Sequence, residues 1–409
     1  MERKVNRFIK LYPWCHSMLA DLLFYIAVDT LFLTVVKSFS AAQIVSITSL
    51  AQFICIAFQF PILFIIRRVG NNCAMRVRGF FMLLSALFIT FGGNFYLVLL
   101  GRVFRDIGII FGSAAVVALE NNLDLVDKRR DFVRIRTAGN TIYSIITMLI
   151  SFVASFMFNL NHYLPMFGCI AACAVGFILS FFMEDCSGYN RITYKTPKGE
   201  KVKIHYGKFI VTAIVTYAVF YVAINTGQAE GKLFIQQQIL ADFSVEDTAI
   251  ILGAVICVSR IIRVFSNILF AKLYEKYQAK MGVVLPALLW SAMGLLLFGS
   301  LIPWIWVKIV VMSLGYIVIL FARDPFRLFM QDVIFENTPK EQHQTLLAML
   351  EFGVRVGSAG MGLSFAAILT AYPMAYVIAV LFTVTFVEIF LSLKIYKMIT
   401  AAKQAKMAQ

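Results

Sequence analysis

Gly101-Arg102-Val103-Phe104-Arg105-Asp106 sits in the middle of the apolar run 95–118, with Phe95-Tyr96-Leu97-Val98-Leu99-Leu100 before it and Ile107-Gly108-Ile109-Ile110-Phe111 after it. A run of that length and apolarity reads as a membrane-crossing helix. Its three charges then lie at bilayer depth, where each costs on the order of 3 kcal/mol even on a lenient insertion scale. The run 304–330 repeats the feature as Ala322-Arg323-Asp324-Pro325-Phe326-Arg327. In both, an Arg-Asp pair precedes a Glu-Asn (Glu120-Asn121, Glu336-Asn337) by roughly three to four helical turns. The pattern predicts two parallel repeats in which a fourth span corresponds to a tenth.

The rest of the chain agrees with that reading. Of 409 residues, 60% are hydrophobic and 14% charged, against about 45–50% and about 25% in soluble domains. Twelve apolar runs are long enough to span: 16–37, 42–66, 75–93, 95–118, 137–158, 163–183, 209–229, 248–270, 282–301, 304–330, 345–369 and 373–395. Breakers such as Gly92-Gly93-Asn94, Pro303 and Tyr372-Pro373 separate them. The expected fold is all-α: twelve transmembrane helices in two pseudo-symmetric six-helix bundles, 1–183 and 209–397. A polar cytoplasmic linker, 184–208, joins them and a tail, 398–409, follows.

Basic residues set the orientation. Assigned to alternating loops and termini, 27 of the 37 fall on one side of the membrane, including Arg76 and Arg78 of the second loop. The other side holds only Lys37, Lys232 and Lys308. That asymmetry predicts a multi-pass protein of the cell membrane with both termini cytoplasmic. It also turns the net charge of +15 into a topology signal rather than a nucleic-acid footprint. The basic N-terminus leads into an apolar run too long for a signal-peptide core, so the first run is read as a retained span. Trp14, Trp304 and Trp306 fall at expected membrane interfaces. Seven scattered cysteines without C-x-x-C spacing predict no disulfide framework, and Cys169 and Cys173 read as core packing.

Seven arginines lie inside the expected spans: Arg102, Arg105, Arg260, Arg263, Arg323, Arg327 and Arg355. So do six acids: Asp21, Asp29, Asp106, Asp324, Glu351 and Glu388. Left alone, these charges would cost roughly 40 kcal/mol. They must therefore meet one another, water or a ligand inside a bundle. Asp21 and Asp29 sit about 80° and about 12 Å apart on an ideal helix, so both can line one cavity, and Asp29 is the preferred proton carrier. Arg102 and Asp106 have i, i+4 spacing for a local pair, which leaves Arg105 needing a partner from elsewhere. Arg260 and Arg263, one turn apart, call for a bridging anion, either an acid or a solute group. In the tenth span Asp324 can pair with Arg327 at i, i+3, beside a kink expected at Pro325. Glu351 and Arg355 can pair at i, i+4, and Glu388 reads as interfacial or as a tie between bundles. Asn225 and Gln228 are hydrogen-bonding candidates for a polar solute, and Gln236-Gln237-Gln238 is expected outside the bilayer. No G-x-x-x-x-G-K-[ST] or H-E-x-x-H motif occurs, so neither ATP drive nor zinc-protease chemistry is indicated.

The topology and several short motifs resemble the major facilitator superfamily. That family's loop between spans two and three reads roughly G-x-L-a-D-R-x-G-R-R. Here Arg68 and Gly70 match, while Arg67 replaces the acid. In the second half, Leu273, Glu275, Lys276 and Lys280 keep the chemistry. Of the fourth-span pattern R-x-x-Q-G-x-G, Arg102 and Gly108 remain. The resemblance implies two bundles rocking around a cavity, a cytoplasmic gate at Arg68, Gly70, Glu275 and Lys276, and proton coupling near Arg102. The span-five glycine-proline signature of proton-coupled drug exporters is absent.

The resulting expectation is a secondary active transporter, not an enzyme, moving a small organic solute by alternating access with proton coupling. Asp29, Asp21, Arg102 and Asp106 would handle the proton. Asn225, Gln228, Arg260, Arg263, Arg323 and Asp324 would line the solute cavity, and the arginines favour an anionic group. The alternative is a multidrug or toxic-compound efflux antiporter, with a transport-dead receptor or a channel behind it. A monomer is expected, with no cofactor, no metal and no nucleic-acid partner.

Overall fold

The computed structural model describes residues 2–128, 131–187, 207–338 and 340–407. Most of the expected linker, 188–206, lies outside them. Helices of the first part are α1 (Glu2–Leu19), α2 (Tyr25–Leu31), α3 (Ala41–Val69), α4 (Asn71–Phe91), α5 (Phe95–Phe111), α6 (Ser113–Asp124), α7 (Phe132–Leu160) and α8 (Leu164–Phe181). Those of the second are α9 (Lys208–Leu240), α10 (Val245–Tyr277), α11 (Met281–Gly299), α12 (Ile305–Asn337), α13 (Lys340–Ile368) and α14 (Met374–Met407). Among the described residues there is no β-strand.

The chain divides into two compact units. The first comprises Met1–Pro197 with Ala249–Cys257, and the second Lys198–Thr248 with Val258–Gln409. In the first, α4 packs on α5 and α8, α3 on α5, and α1 on α7 and α8. In the second, α11 packs on α12 and α14, and α9 on α12, α13 and α14. Both units leave large apolar side chains exposed, such as Phe60, Phe64, Val310 and Phe390. Water would penalise such surfaces and hydrocarbon does not, so they are the lipid face of a multi-pass membrane protein.

Among the described residues, eight helices are long and apolar enough to cross a membrane, out of the twelve runs expected from the sequence. The runs missing from that set are the first, fourth, eighth and eleventh. The first and fourth are interrupted, and all four carry ionised side chains that lower their apolarity. The expected first span, 16–37, is not one helix. It is the end of α1, a non-helical stretch over 20–24, then α2 and a π-helical turn over Phe32–Val36. In the break, Asp21 Oδ1 accepts the amide of Leu22 at 2.8 Å, which competes with helical bonding. The fourth span is also divided, α5 passing to α6 at Gly112. By contrast, α12 runs through Pro325 without interruption.

Helix ends follow local chemistry. Ser40 and Gln43 form a reciprocal capping box at the start of α3. Asn94 caps α5 by accepting the Leu97 amide at 2.9 Å. Gly70 alone joins α3 to α4, with φ 82° and ψ 166°, a region essentially closed to residues bearing a Cβ. This accounts physically for the motif glycine. Gly70→Ala is expected to cost about 1–3 kcal/mol, seen as a lowered thermal midpoint of the purified protein. An unchanged midpoint would mean that the junction relaxes.

At its far end the first unit is closed by a polar clasp. Asp185, 5% exposed, accepts from Asn71 Nδ2 at 2.7 Å, Asn121 Nδ2 at 2.9 Å and Ser187 Oγ at 2.6 Å. In return, Asn72 Oδ1 accepts the Asp185 amide at 2.6 Å and Asn122 Oδ1 accepts the Cys186 amide at 2.9 Å. Two Asn-Asn pairs, at the start of α4 and the end of α6, thus hold the segment after α8. Nearby Lys4 pairs with Glu184 at 2.8 Å. The lysine holds the Glu184 carboxyl below its usual range, on a surface where such a pair contributes little.

Candidate functional site

Each unit carries its own set of buried or half-buried charges. In the first unit the centre is Arg105 of α5. Its Nε and Nη2 donate to Asp21 Oδ1 and Oδ2, both at 2.6 Å, and Nη1 donates to Asp106 Oδ1 at 3.0 Å. A bidentate guanidinium–carboxylate pair fixes geometry as well as charge. Here it ties the break in the first span to α5. The side chains of Arg105, Asp21 and Asp106 are 14%, 19% and 16% exposed, so the cluster is partly shielded from solvent.

This arrangement corrects the expected local pair. Asp106 is bound by Arg105, not by Arg102 at i−4. The shift frees Arg102, whose Nε is buried with no hydrogen-bond partner among the described residues. The Coulomb interactions of Arg102 reach Asp21 across the break. Asp29 is half-buried and its Oδ1 accepts the Thr30 amide at 2.7 Å.

In the second unit, Arg263 of α10 donates from Nε and Nη2 to Asp324 of α12, at 2.6 and 3.0 Å. Asp324 thus supplies an acid to Arg263, one member of the Arg260–Arg263 pair. Arg327 therefore does not use it at i−3. Instead its Nη2 donates to Glu351 of α13 at 2.9 Å. Glu351 is thereby engaged across helices rather than only along α13 with Arg355.

Two arginines of this unit lack a carboxylate partner among the described residues. Arg323 Nη1 donates to the neutral Gln228 Oε1 of α9 at 2.7 Å, and its backbone carbonyl accepts from the Tyr221 hydroxyl at 2.6 Å. Arg260 is 9% exposed and its Nε is buried without a hydrogen-bond partner. The Arg260 and Arg263 charges both act on Arg323. Asn225 is half-buried on α9, one turn before Gln228. The Tyr217 and Tyr221 rings stack at 4.6 Å beside this group.

The remaining candidates are not gathered with these. Gly70 is buried and Arg68 exposed, both in the first unit. Lys276, exposed in the second unit, places its Nζ 5.4 Å from the Tyr277 ring. The Glu275 side chain lies outside the described residues. Gln236 is buried within α9 and Glu388 is fully buried in α14. Cys169 and Cys173 are both buried, in keeping with core packing. Among the described residues, no group of three or more His, Cys, Asp or Glu side chains is placed to hold a metal ion.

Sequence reading missed Arg78. It was assigned to the basic second loop, but it lies inside α4 at 5% exposure. The available signal was its position between Val77 and Gly79-Phe80-Phe81-Met82, already within an apolar run.

Comparisons with known proteins point one way on fold. No protein-family model matches the chain, and no curated protein matches it. Solved structures do. A variant of the nucleoside transporter NupG superposes with a TM-score of 0.75 at 12% identity, covering 95% of this chain and 99% of that one. A second NupG structure gives 0.71 at 14% identity, over 96% and 99%. A bacterial homologue of the iron transporter ferroportin, in an inward-facing state, gives 0.68 at 11% identity, over 96% and 98%. These similarities span nearly the whole of each chain. The protein has the major facilitator fold.

Proposed function

We propose that this protein is a secondary active transporter that moves a small organic solute bearing an anionic group across the cell membrane by alternating access. The fold supports a transporter, since its structural neighbours are named as a nucleoside transporter and a bacterial homologue of an iron transporter. The observation that carries the solute class is the pair Arg260 and Arg323. Two guanidiniums in one unit, one of them with a buried unpartnered Nε, lack a carboxylate among the described residues. Charge at this depth is too costly to leave unbalanced, and a solute carboxylate or phosphate supplies the missing acceptor. Gln228, held by Arg323, and Asn225 would hydrogen-bond the rest of the solute.

Proton coupling through Asp29 and Asp21 belongs to the same reading. Protonating Asp21 would break its bidentate bond to Arg105 and leave that guanidinium held by Asp106 alone.

Uptake into proteoliposomes under an imposed pH gradient tests the reading, over a panel of carboxylates, phosphate esters and uncharged nucleosides. Arg260→Gln is expected to raise the KM for the transported anion by about 10–100-fold. That is the equivalent of one charged hydrogen bond of about 1.5–3 kcal/mol. Transport of an uncharged nucleoside, undisturbed by Arg260→Gln, would remove the anionic-solute assignment.

A further inference from the structure

Three helices of the second unit, α10, α11 and α12, enclose a cavity of about 230 Å³. Phe270 and Tyr277 of α10, Val284 and Leu285 of α11, and Phe321 and Pro325 of α12 form its walls, and every other lining side chain is leucine or methionine. A dry cavity of about 150 Å³ with such a lining already takes benzene, so this one has room for a stretch of hydrocarbon. Left empty, its walls forfeit dispersion contacts. The cavity is not sealed. Phe270, Met281 and Leu285 are buried, whereas Tyr277 and Val284 are 42% and 45% exposed. Lipid is the medium on that outer face, as it is for the other exposed apolar side chains of the unit.

The rim is basic. Lys276 is exposed and its Nζ stands 5.4 Å from the centroid of the Tyr277 ring. That cation–π position sets the ammonium at the cavity mouth. Lys280, also exposed, directly precedes Met281 of the lining. The segment 271–281 holds three lysines against one acid, Glu275. An apolar cavity open to hydrocarbon and edged by ammonium groups matches a hydrocarbon chain with an anionic head. Basic pockets between spans near the membrane surface are where acidic lipid head groups settle.

We propose that this cavity is a binding site for an anionic phospholipid, one acyl chain entering beside Tyr277 and Val284 and the phosphate resting on Lys276 and Lys280. Phe321 and Pro325 flank Arg323 and Asp324 in sequence, so the bound chain braces the helix that carries charges of the second unit. The site does not depend on which solute is moved, nor on whether one is.

Native mass spectrometry and thermal unfolding of the full-length protein in detergent test it, with dioleoyl phosphatidylglycerol, dioleoyl phosphatidylcholine and glycerol 3-phosphate as probes. Phosphatidylglycerol should be retained and should raise the midpoint saturably, as mass action requires for a ligand of the native state. Glycerol 3-phosphate, which has no chain, should do neither. Lys276→Gln with Lys280→Gln should weaken phosphatidylglycerol binding by about 30-fold, the effect of two lysines on an anionic lipid, and leave phosphatidylcholine binding unchanged. Val284→Trp, which plugs the mouth, should weaken both lipids by about tenfold. A wild type that holds both lipids equally, as an unselective lipid annulus would, overturns the proposal. So does a midpoint raised by glycerol 3-phosphate alone, which would make the ligand free phosphate. Phosphatidylglycerol binding unaltered in the double lysine variant also overturns it. That variant changes only exposed side chains, so it decides the matter even if Val284→Trp fails to fold.

Discussion

Arg105→Ala is expected to lower unfolding stability by about 3–5 kcal/mol, the cost of stranding a buried charge, and to abolish transport. The substitution leaves Asp21 without its bidentate partner and Asp106 without its hydrogen bond. It also unties the break over 20–24 from α5, so the first span loses what fixes its shape. The companion variant Arg105→Met with Asp21→Leu and Asp106→Asn removes all three charges of the cluster. It should recover much of the thermal midpoint, because apolar side chains of similar volume replace ion pairs at little cost. It should not recover uptake. That split separates a structural loss from a functional one. Wild-type stability in Arg105→Ala would mean that water, not Asp21, balances this guanidinium.

Asp185→Ala comes next in size, at about 3 kcal/mol. Hydrogen bonds to a charged acceptor contribute about 1.5–3 kcal/mol each, and three side chains share this one carboxylate, so their losses overlap rather than add. The check is site-specific. The amides of Asp185 and Cys186, which donate to Asn72 and Asn122, should lose hydrogen-exchange protection together with the drop in thermal midpoint. Asp185→Asn should fall between, since it keeps one acceptor oxygen and turns an amide toward Asn71 and Asn121. If protection at these amides survives in Asp185→Ala, the asparagine pairs hold the segment unaided.

Much of the fold was legible in the chain. Apolar runs such as 42–66 and 163–183 reappear as α3 and α8 because spanning hydrocarbon is a criterion of length and polarity, readable one residue at a time. Gly70 was legible as a motif residue, and its φ supplies the cause. The ionic partners were less so. Helical spacing suggested Arg102 with Asp106, Asp324 with Arg327 and Glu351 with Arg355. Asp106 is instead held by Arg105 and Asp324 by Arg263, while Glu351 accepts from Arg327 of another helix.

The physical reason is range. Lipid selects segments by their own composition, so hydropathy and the K/R bias of the loops are enough to predict a polytopic all-α protein and its charged interior. Which cation meets which carboxylate depends on helices brought side by side from distant positions, 84 residues apart for Asp21 and Arg105 and 61 for Arg263 and Asp324. No periodicity encodes that proximity. The same holds for Arg78. Its letter in the sequence states a charge, and only the packing of α1, α4 and α6 around it says that the charge is buried, with no ion pair among the described residues.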